Sequence, residues 1–439
     1  MGILKNYQNK KIAIYGMGKT GISVARFLKK SKAQIFCWDD DRNIRKKIKK
    51  LNFPPNKFWL KKKFVDTIVI SPGIDIHKCK IKKFLKKNLK KIITDIDLFF
   101  EVNKNSIIIS ITGTNGKSTT CKIIEKILRT DGKSVKTVGN IGNPILSLSQ
   151  NKKKYIFILE VSSYQLQYSK LFRSKHAAIL NISPDHLERH HNIKNYIKIK
   201  SKIFFAQSVS DYSYINLKNK YSKEIKKILK NKKLKSKLIF VTKSSCESLL
   251  KKIKNKYFES EGNIENFAFA YQIVKKLNIK NNVIVKAMNK FKNLPHRQEI
   301  VVSNKKILCI NDSKATTFDA SLQSLLNYDK IYWILGGLPK YKDRFNLKKV
   351  YKKIIKAYII GKHTSFFRKK ICKKIPYSIS YNLQNAIKNI KNDLRNNNKK
   401  CTILLSPAAA SYDQFSNFED RGVFFTKLTK KVFKKFSNV

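Results

Sequence analysis

Short apolar runs alternate with amphipathic stretches along most of the chain. Residues 11–15, 34–38 and 66–70 have the length and the content of branched and aromatic residues that are typical of buried strands. The first run is followed by Val24 and Phe27, which lie at helical spacing on one face of a predicted helix. Strands that alternate with helices predict a mostly parallel sheet, so we expect an α/β fold.

The same alternation continues to the end of the chain. Further strands are predicted over residues 106–111, 134–138, 155–159, 177–182, 214–217, 238–242, 307–310, 332–335, 357–360 and 402–405. The pattern restarts near Leu294-Pro295, which predicts a linker at that point. At 439 residues the chain is too long for one ordinary core, so several domains are expected.

Residues 111–119, Ile-Thr-Gly-Thr-Asn-Gly-Lys-Ser-Thr, lie between a predicted strand and a predicted helix. A glycine loop in this position forms a phosphate cradle, in which backbone N–H groups surround the phosphates. Lys117 would reach a terminal phosphate, and the following hydroxyl would bind Mg²⁺. The usual spacing places a glycine where Ile111 stands, so the stretch is a shortened P-loop that predicts a nucleoside triphosphate.

A second glycine loop, with Gly16, Gly18 and Gly21, follows the first predicted strand. Asp39 follows the second strand, where a dinucleotide fingerprint has a carboxylate for a ribose or base. The third strand ends in a further loop, residues 71–73. Two such loops on adjacent strands predict a nucleotide site, and these residues are compatible with NAD and with a UDP-sugar.

Two predicted strands in the middle of the chain lead to candidate metal ligands. Glu160 follows residues 155–159 and is placed to hold Mg²⁺, although it could instead cap the next helix. Three histidines lie within residues 186–191, but there is no second ligand cluster for zinc. We expect His186 to face the same metal as Glu160 and the other two histidines to be solvated. A helix is predicted over residues 196–204, where a lysine is ordinarily exposed.

Four predicted strands near the end of the chain are each followed by a polar loop. These loops are residues 311–316, 336–340, 361–363 and 406–411. Open α/β sheets bind ligands at the carboxyl ends of their strands, so four loops at one edge predict a site.

The composition is extremely basic, with 95 Lys and Arg against 28 Asp and Glu and a formal net charge of +67. Such a charge often indicates a nucleic acid or an anionic surface as the partner. The lysines are spread along the whole chain, however, so we interpret them as a solvated surface with no specific nucleic-acid partner. The seven cysteines are far apart, and no apolar run approaches the ~20 residues of a membrane span. A cytoplasmic protein without membrane insertion is expected.

Taken together, these motifs resemble the Mur ligase family, the ATP-dependent amide-forming enzymes of peptidoglycan precursor synthesis. Residues 112–119 look like the ATP loop that this family shares with folylpolyglutamate synthases. Residues 311–316 and 406–415 are more specific and look like the D-glutamate-adding branch, because other branches carry an Asp-Tyr-Ala-His type of loop at the first position.

The resemblance covers essentially the whole chain and implies three domains. They are a Rossmann-like domain for a UDP-substrate over residues 1–100, a P-loop ATPase-like domain over 101–293 and a Rossmann-like domain for an amino acid over 294–439. The implied substrates are ATP with Mg²⁺, UDP-N-acetylmuramoyl-L-alanine and D-glutamate, handled by a monomer through an acyl phosphate.

Site residues follow from the resemblance position by position. Catalytic roles fall on Lys117, His186 and Lys200, and Lys200 matches the lysine that the family carbamylates. ATP-binding positions are Gly113, Thr114, Asn115, Gly116, Lys117, Ser118, Thr119, Asn263, Arg297 and Asp312. Metal-binding positions are Ser118, Glu160, His186 and Lys200. UDP-substrate positions are Gly16, Gly18, Lys19, Thr20, Asp39, Ser71, Pro72, Gly73, Asn140 and His186. D-Glutamate positions are Thr316, Lys340, Ser411 and Phe418. Gly262 stands where the family usually has histidine.

Other activities would explain part of the sequence. Another amino-acid-adding ligase of the same family, or a ligase like folylpolyglutamate synthase, would use the same ATP loop. An NAD-dependent dehydrogenase would explain the first glycine loop and Asp39 but would leave the ATP loop unused. A basic nucleic-acid-binding P-loop ATPase would explain the charge, but no zinc-finger or RNP pattern is found.

Overall fold

The structure is a computed structural model. It describes residues 6–57, 60, 64–139, 144–147, 155–292, 294–340, 345–371, 374–395 and 400–433. The chain forms two compact units, Met1–Phe291 and Lys292–Val439. The first unit contains two sheets and the second unit contains one. The expected α/β class with mostly parallel sheets is therefore confirmed, and the further division of the first unit near residue 100 stays our proposal.

The first sheet is parallel and has the strand order β2-β1-β3-β4. Its strands are β1 Lys11–Tyr15, β2 Gln34–Trp38, β3 Thr67–Ile70 and β4 Ile92–Ile93, and its helices are α1 Lys19–Lys29, α2 Arg42–Lys50, α3 Lys82–Lys87 and α4 Asp95–Val102. Tyr15 pairs with Trp38 on one side and with Ile70 on the other. This register brings the loops after β1, β2 and β3 to one edge of the sheet.

The second sheet is also parallel, with the strand order β10-β9-β8-β5-β7-β6. Its strands are β5 Ile108–Thr112, β6 Val135–Gly139, β7 Ile156–Glu160, β8 His176–Ile179, β9 Tyr212–Asn216 and β10 Lys237–Val241. The helices are α5 Lys117–Thr130, α6 Ser163–Tyr168, α7 Leu187–His190, α8 Ile193–Ser201, α9 Ser222–Asn231, α10 Glu247–Leu250, α11 Glu261–Lys275 and α12 Asn281–Asn289. Apolar residues of α5, among them Ile124 and Leu128, belong to the same buried cluster as Phe267 and Ile273 of α11. This packing fixes the helix that follows the phosphate loop.

The sheet of the second unit has the order β11-β12-β16-β13-β14-β15, in which only β11 is antiparallel to its neighbour. Its strands are β11 Glu299–Ser303, β12 Ile307–Asn311, β13 Ile331–Gly336, β14 Ile354–Ile360, β15 Tyr377–Tyr381 and β16 Cys401–Leu405. The helices are α13 Phe318–Asn327, α14 Thr364–Ile371, α15 Leu383–Leu394 and α16 Phe418–Phe433. Within the described residues, none of the helices of either unit is long and apolar enough to cross a membrane.

The sequence pattern did not predict β4, β11 and β15. All three lie at an edge of their sheet, where a strand has a neighbour on one side only and needs fewer apolar residues. Ile300 in β11 is 62% exposed, for example, and β15 has the alternating sequence Tyr-Ser-Ile-Ser-Tyr. The predicted helix over 196–204 begins earlier, at Ile193, because the side chain of Asn192 caps it.

A buried carboxylate joins the two sheets of the first unit. Asp97 in α4 accepts hydrogen bonds from the backbone N–H groups of Leu171 and Phe172, at 2.8 and 2.9 Å. It also accepts from the hydroxyl of Ser169 at 2.7 Å and from the backbone of Thr94 at 2.8 Å. Backbone donors that are bonded to a carboxylate lose their partner when it is removed, and burial prevents water from replacing it.

We therefore predict that Asp97→Ala lowers the free energy of unfolding by about 3 kcal/mol, because several buried donors lose their acceptor. Urea unfolding followed by circular dichroism measures this change. Asp66→Ala is a suitable control, since the Asp66 carboxylate also accepts a backbone hydrogen bond, from Lys11 at 2.8 Å, but on an exposed residue. Equal effects of the two substitutions would contradict a special role of Asp97.

Candidate functional site

The phosphate loop runs from the end of β5 to the start of α5. Gly116 precedes the helix in the left-handed conformation, with φ +83°, and a Cβ atom there would lie 2.1 Å from Oδ1 of Asn266. Gly113 also has a positive φ. The first N–H groups of α5, starting at Lys117, have no acceptor within the helix and carry its positive dipole end. A loop of this shape at a helix N-terminus binds anions such as phosphate.

Asn181 braces the loop from the segment that follows β8. Its side-chain oxygen accepts from the backbone N–H of Asn115 at 2.8 Å, and its backbone oxygen accepts from that of Thr114 at 3.0 Å. Thr114 also accepts at its hydroxyl from the N–H of Ser183 at 3.0 Å. The sequence prediction missed Asn181, because it placed this residue inside a strand over residues 177–182, whereas β8 ends at Ile179.

Ser118 and Glu160 meet at the carboxyl ends of two neighbouring strands. The Ser118 hydroxyl donates a hydrogen bond to the Glu160 carboxylate, and both side chains are buried. Hydroxyl and carboxylate oxygens are ligands that Mg²⁺ prefers. Within the described ranges there is no cluster of three or more His, Cys, Asp or Glu side chains that could hold a metal. The pair therefore fits a magnesium ion that takes its other ligands from phosphates and water, as Mg²⁺ commonly does.

Lys200 lies on the buried side of α8, directly below the phosphate loop. Its Nζ donates to the carbonyl oxygen of Gly113 at 3.0 Å and to the hydroxyl of Thr112 at 3.2 Å. Burial, and after it the positive charge of Lys117, lowers the pKa of Lys200 well below its ordinary value. Lys198 on the same helix is exposed. The ordinary surface interpretation therefore fits Lys198 and is wrong for Lys200.

The Lys117 ammonium lies over the same loop. Its Nζ donates to the carbonyl oxygens of Gly113 and Thr114, at 2.9 and 2.8 Å. The Gly113 carbonyl therefore accepts from both lysines. Glu160 and Asp185 are the acidic groups whose charge opposes the lowering of the Lys200 pKa. The structure thus places two amines and two carboxylates around one end of the loop.

His186 directly precedes α7 and has the left-handed conformation, with φ +53°. Its Nδ1 is 3.0 Å from the Tyr164 hydroxyl, and its Nε2 is 3.3 Å from the carboxylate of Asp185. Tyr164 and Asp185 are neighbours of the site that the sequence prediction missed. Asp185 directly precedes His186, which was a usable signal, whereas nothing in the sequence indicated Tyr164.

One prediction about the neighbouring histidines is wrong. His190 is buried, not solvated, and its Nε2 is 2.9 Å from the Ser163 hydroxyl. Burial, together with the charges of His186 and Arg189, lowers the pKa of His190 to about 4, so the ring is neutral near pH 7. The His190 ring is covered by the rings of Tyr164 in α6 and Tyr196 in α8, whose centres lie 5.6 and 5.4 Å away. His191 is exposed, as expected.

The glycine loop after β1 packs against the loop after β3. Gly16 has φ +91°, and a Cβ atom there would lie 2.8 Å from the side chain of Ile74. The Ser71 hydroxyl donates to the Gly16 carbonyl at 2.5 Å. Gly18, Lys19 and Thr20 form the accessible start of α1, and Pro72 and Gly73 lie in the facing loop. Asn140 lies outside the described residues.

Asp39 stabilises the glycine loop that follows β1. Its carboxylate accepts from the backbone N–H of Met17 at 2.6 Å and from that of Asp41 at 2.9 Å, and the residue is buried. Both oxygens thus bind backbone groups. The carboxylate therefore holds the glycine loop in its conformation, and its assignment to the UDP-substrate site stays a prediction.

Near the phosphate loop, α11 presents a different asparagine from the predicted one. The Asn263 side chain donates to the carbonyl of Tyr257 at 2.9 Å. Asn266, almost one turn further along, contacts the loop and lies 3.3 Å from the Thr120 hydroxyl. We therefore add Asn266 to the candidate ATP-binding residues. The spacing of three residues along a helix was the only sequence signal.

In the second unit, Asp312 lies at the end of β12. Its Oδ2 accepts from the hydroxyls of Ser324 and Ser406, at 2.5 and 2.9 Å. Burial raises the pKa of Asp312 to about 6, although these hydrogen bonds and the charge of Arg297 oppose the shift. Asp312 therefore fixes the loop that follows β12 against β16.

The loops with the four predicted D-glutamate residues meet at the carboxyl edge of this sheet. Leu338 and Ala410 exchange two backbone hydrogen bonds, 2.8 and 3.1 Å, which bring the loops of Lys340 and Ser411 side by side. The Ser313 hydroxyl donates to the Phe418 carbonyl at 2.8 Å, which brings α16 to the loop that contains Thr316.

Two cations near these loops were not predicted. The Lys314 ammonium lies 3.9 Å from the ring centre of Phe418. Arg421 is buried and donates to the carbonyls of Ser313 and Ala409, at 2.8 and 3.1 Å. Arg421 thus ties together two of the loops at this edge. Its position one turn into α16 gave no sequence signal.

Two family models and full-length relatives match this chain. The model of the Mur ligase middle domain matches residues 111–289, and that of the Mur ligase MurD-like N-terminal domain matches residues 10–93. The chain is 36% identical to the UDP-N-acetylmuramoylalanine--D-glutamate ligase of Rickettsia felis, over 98% of each chain. It is 37% identical to the protein of the same name from Rickettsia prowazekii, over 97% of this chain and 99% of the relative.

Solved structures of the same kind share the fold. The MurF ligase of Thermotoga maritima, solved in complex with ADP, has a TM-score of 0.57 at 14% identity and covers 98% of this chain and 99% of its own. The UDP-N-acetylmuramate-alanine ligase MurC of Thermotoga maritima has a TM-score of 0.55 at 14% identity, with coverage of 96% and 99%. At such identities the likeness is one of fold alone, but the sequence relatives cover 97–98% of this chain at 36–37% identity. The chain therefore belongs to the Mur ligase family.

Proposed function

We propose that this chain is an ATP-dependent ligase that joins D-glutamate to UDP-N-acetylmuramoyl-L-alanine. The observation that carries the proposal is the buried Lys200 beneath a phosphate loop whose Ser118 is bonded to Glu160. Relatives named as D-glutamate ligases, which match nearly the full length of the chain, support the choice of amino acid.

An amide forms from a carboxylate only if the carboxylate is first activated. In the proposed reaction, the carboxylate of UDP-N-acetylmuramoyl-L-alanine attacks the γ-phosphorus of ATP, and ADP leaves. The amine of D-glutamate then attacks the acyl phosphate, so that an amide forms and phosphate is released. Lys117 would neutralise charge on the phosphoryl group as it moves. Mg²⁺ would be held by Ser118 and Glu160 and would supply further positive charge at the phosphates.

Lys200 would serve this reaction as a carbamate. Carbon dioxide reacts with a neutral amine, and the lowered pKa of Lys200 favours the neutral form. The nitrogen forms a bond to the carbon of CO₂ and releases a proton, which turns the neutral amine into an anionic carbamate. An anion at this position could act as a further metal ligand near Glu160 and would relieve the repulsion by Lys117.

The acceptor would bind at the carboxyl edge of the sheet in the second unit. D-Glutamate has two carboxylates, and burying them without donors costs several kcal/mol. Lys340 would supply a cation, while Thr316 and Ser411 would supply hydroxyl donors beside the backbone of Phe418.

The alternatives lose their main support. A dehydrogenase would need the Asp39 carboxylate for a ribose, but both of its oxygens bind backbone N–H groups. The interpretation as a nucleic-acid-dependent ATPase depended on the net charge alone. Among related ligases, the matched relatives favour D-glutamate as the acceptor.

The direct test is a coupled phosphate-release assay with ATP, Mg²⁺ and UDP-N-acetylmuramoyl-L-alanine. We expect phosphate release on addition of D-glutamate and little release with L-lysine or L-alanine. Release that is independent of any amino acid, or that depends on another one, would contradict the proposed acceptor.

The proposed carbamate predicts that Lys200→Ala reduces kcat roughly 100-fold or more, the size expected when one preorganised charged group is lost. A small carboxylic acid such as acetate should restore part of the activity by occupying the vacated space. Lys198→Ala on the exposed face of the same helix is the matched control and should be fully active. An active Lys200→Ala variant would remove the carbamate from the mechanism.

The acceptor site predicts that Lys340→Ala raises the KM for D-glutamate by at least ~10-fold, equivalent to about 1.4 kcal/mol, and leaves the KM for ATP unchanged. We expect this rise because the variant lacks the ammonium group that would attract a carboxylate of D-glutamate. Initial rates at varied concentrations of each substrate measure both constants. Lys349→Ala, an exposed lysine of the same unit, serves as the control. A rise in both constants together would place Lys340 outside the acceptor pocket.

A further inference from the structure

Arg189 in α7 contacts a loop that belongs to the first sheet. Its Nε donates to the side-chain oxygen of Gln167 at 2.7 Å. Its terminal nitrogens donate to the backbone carbonyls of Gly73, at 3.4 Å, and Ile74. The Asp75 carboxylate lies 3.9 Å away, and only 7% of the Arg189 side chain is exposed. One buried guanidinium therefore joins the loop after β3 to the two short helices near the phosphate site.

Two tyrosines of α6 flank this guanidinium. Its carbon is 5.4 Å from the ring centre of Tyr164 and 5.9 Å from that of Tyr168. The Tyr168 hydroxyl accepts from the backbone N–H of Ile76 at 3.2 Å, so it holds the same loop. The Tyr164 hydroxyl lies 3.0 Å from Nδ1 of His186. Arg189 thus contacts Tyr164, and the hydroxyl of Tyr164 in turn orients the His186 ring.

The chemistry of the contacts requires an arginine. Burying a cation is costly, and the cost is offset here by hydrogen bonds to three oxygens and by two aromatic faces. The planar guanidinium reaches these oxygens in different directions at once, whereas a lysine ammonium is a single point charge on a flexible chain. A substitution by lysine would keep the charge but lose the geometry.

We propose that Arg189 is a positioning residue that couples the UDP-substrate loop, residues 71–75, to His186. The loop contains Ser71, Pro72 and Gly73, which we have proposed as UDP-substrate residues, so the inference rests on the proposed function. Arg189 holds the backbone of this loop at Gly73 and Ile74 and holds the ring that supports His186. Binding of the nucleotide-sugar then fixes His186, and loss of the guanidinium affects that substrate and turnover but not the nucleotide in the phosphate loop.

The test compares ligand affinities of Arg189→Ala, Arg189→Lys and the wild-type chain by isothermal titration calorimetry. The probes are UDP-N-acetylmuramoyl-L-alanine and ADP with Mg²⁺. We expect Arg189→Ala to weaken UDP-substrate binding at least 10-fold and to lower kcat, with ADP affinity within twofold of wild type. Added guanidinium ion should restore part of the lost kcat. Arg189→Lys, which keeps the buried cation and stem, should fold like wild type and still bind the UDP-substrate at least fivefold more weakly.

Arg173→Ala is the matched control, because Arg173 also binds a carboxylate, Asp211 at 2.7 Å, from a position before β8 at the opposite end of the strands. It should lower thermal stability without changing either affinity. Unchanged UDP-substrate affinity in both Arg189 variants would overturn the inference, as would an equal loss of UDP-substrate and ADP affinity. A wild-type chain that binds ADP but not the UDP-substrate would instead refute the proposed function.

Discussion

The carbonyl oxygen of Gly113 accepts hydrogen bonds from two lysines, Lys117 at 2.9 Å and Lys200 at 3.0 Å. Two ammonium groups at one acceptor repel each other strongly in a buried environment. The energetic cost is smallest if one of them is neutral, and burial selects Lys200 for that state. In the proposed reaction, Lys117 is then the cation that would neutralise charge on the phosphates. The proposed carbamate would go further, because it would give Lys200 a negative charge that attracts the Lys117 ammonium.

Parallel sheets make such a site possible, because the loops after neighbouring strands start at the same edge. Glu160 pairs with Ile111 in the register of β7 and β5, so the carboxylate starts beside the phosphate loop. The same geometry gathers Gly16 and Ser71 in the first sheet and the loops around Asp312 and Ala410 in the third. Each sheet therefore gathers loops at one edge, and in our proposal the three substrates divide among these edges. The strand order decides which loops meet, while the loop residues decide what they bind.

The sequence predicted this arrangement to the level of loops but not to the level of side-chain partners. Strand runs and glycine loops are local signals, so the phosphate loop and the edge loops could be located from them. Whether a carboxylate such as Asp39 turns inward or outward depends on backbone donors from another loop, which no local pattern shows. The same applies to the contact of Asn266 with the phosphate loop and to the burial of His190. The edge strands were missed because fewer of their side chains are buried, so their sequences contain a less regular pattern of apolar residues.

Acidic and basic side chains differ in how often they are buried. Within the described residues, seven acidic side chains are buried, namely Asp39, Asp95, Asp97, Glu125, Glu160, Asp211 and Asp312. Only three Lys or Arg side chains are buried there, Arg189, Lys200 and Arg421, although basic residues outnumber acidic ones by 95 to 28 over the chain. A larger share of the acidic than of the basic side chains is thus buried. Most of these carboxylates accept from backbone or hydroxyl donors, whereas Glu125 and Asp211 also pair with basic side chains.

The basic excess lies on faces that contact solvent. The helices α2 and α3 show this plainly, since each buries a single residue, Ile48 and Leu85. Salt screens exposed charges over about 8 Å at physiological ionic strength, so they act only weakly on the buried pairs. Their summed field still attracts anions from further away. ATP, the UDP-substrate and D-glutamate are all anions, so a surface that contributes little to specificity would raise the rate at which each of them reaches its binding edge.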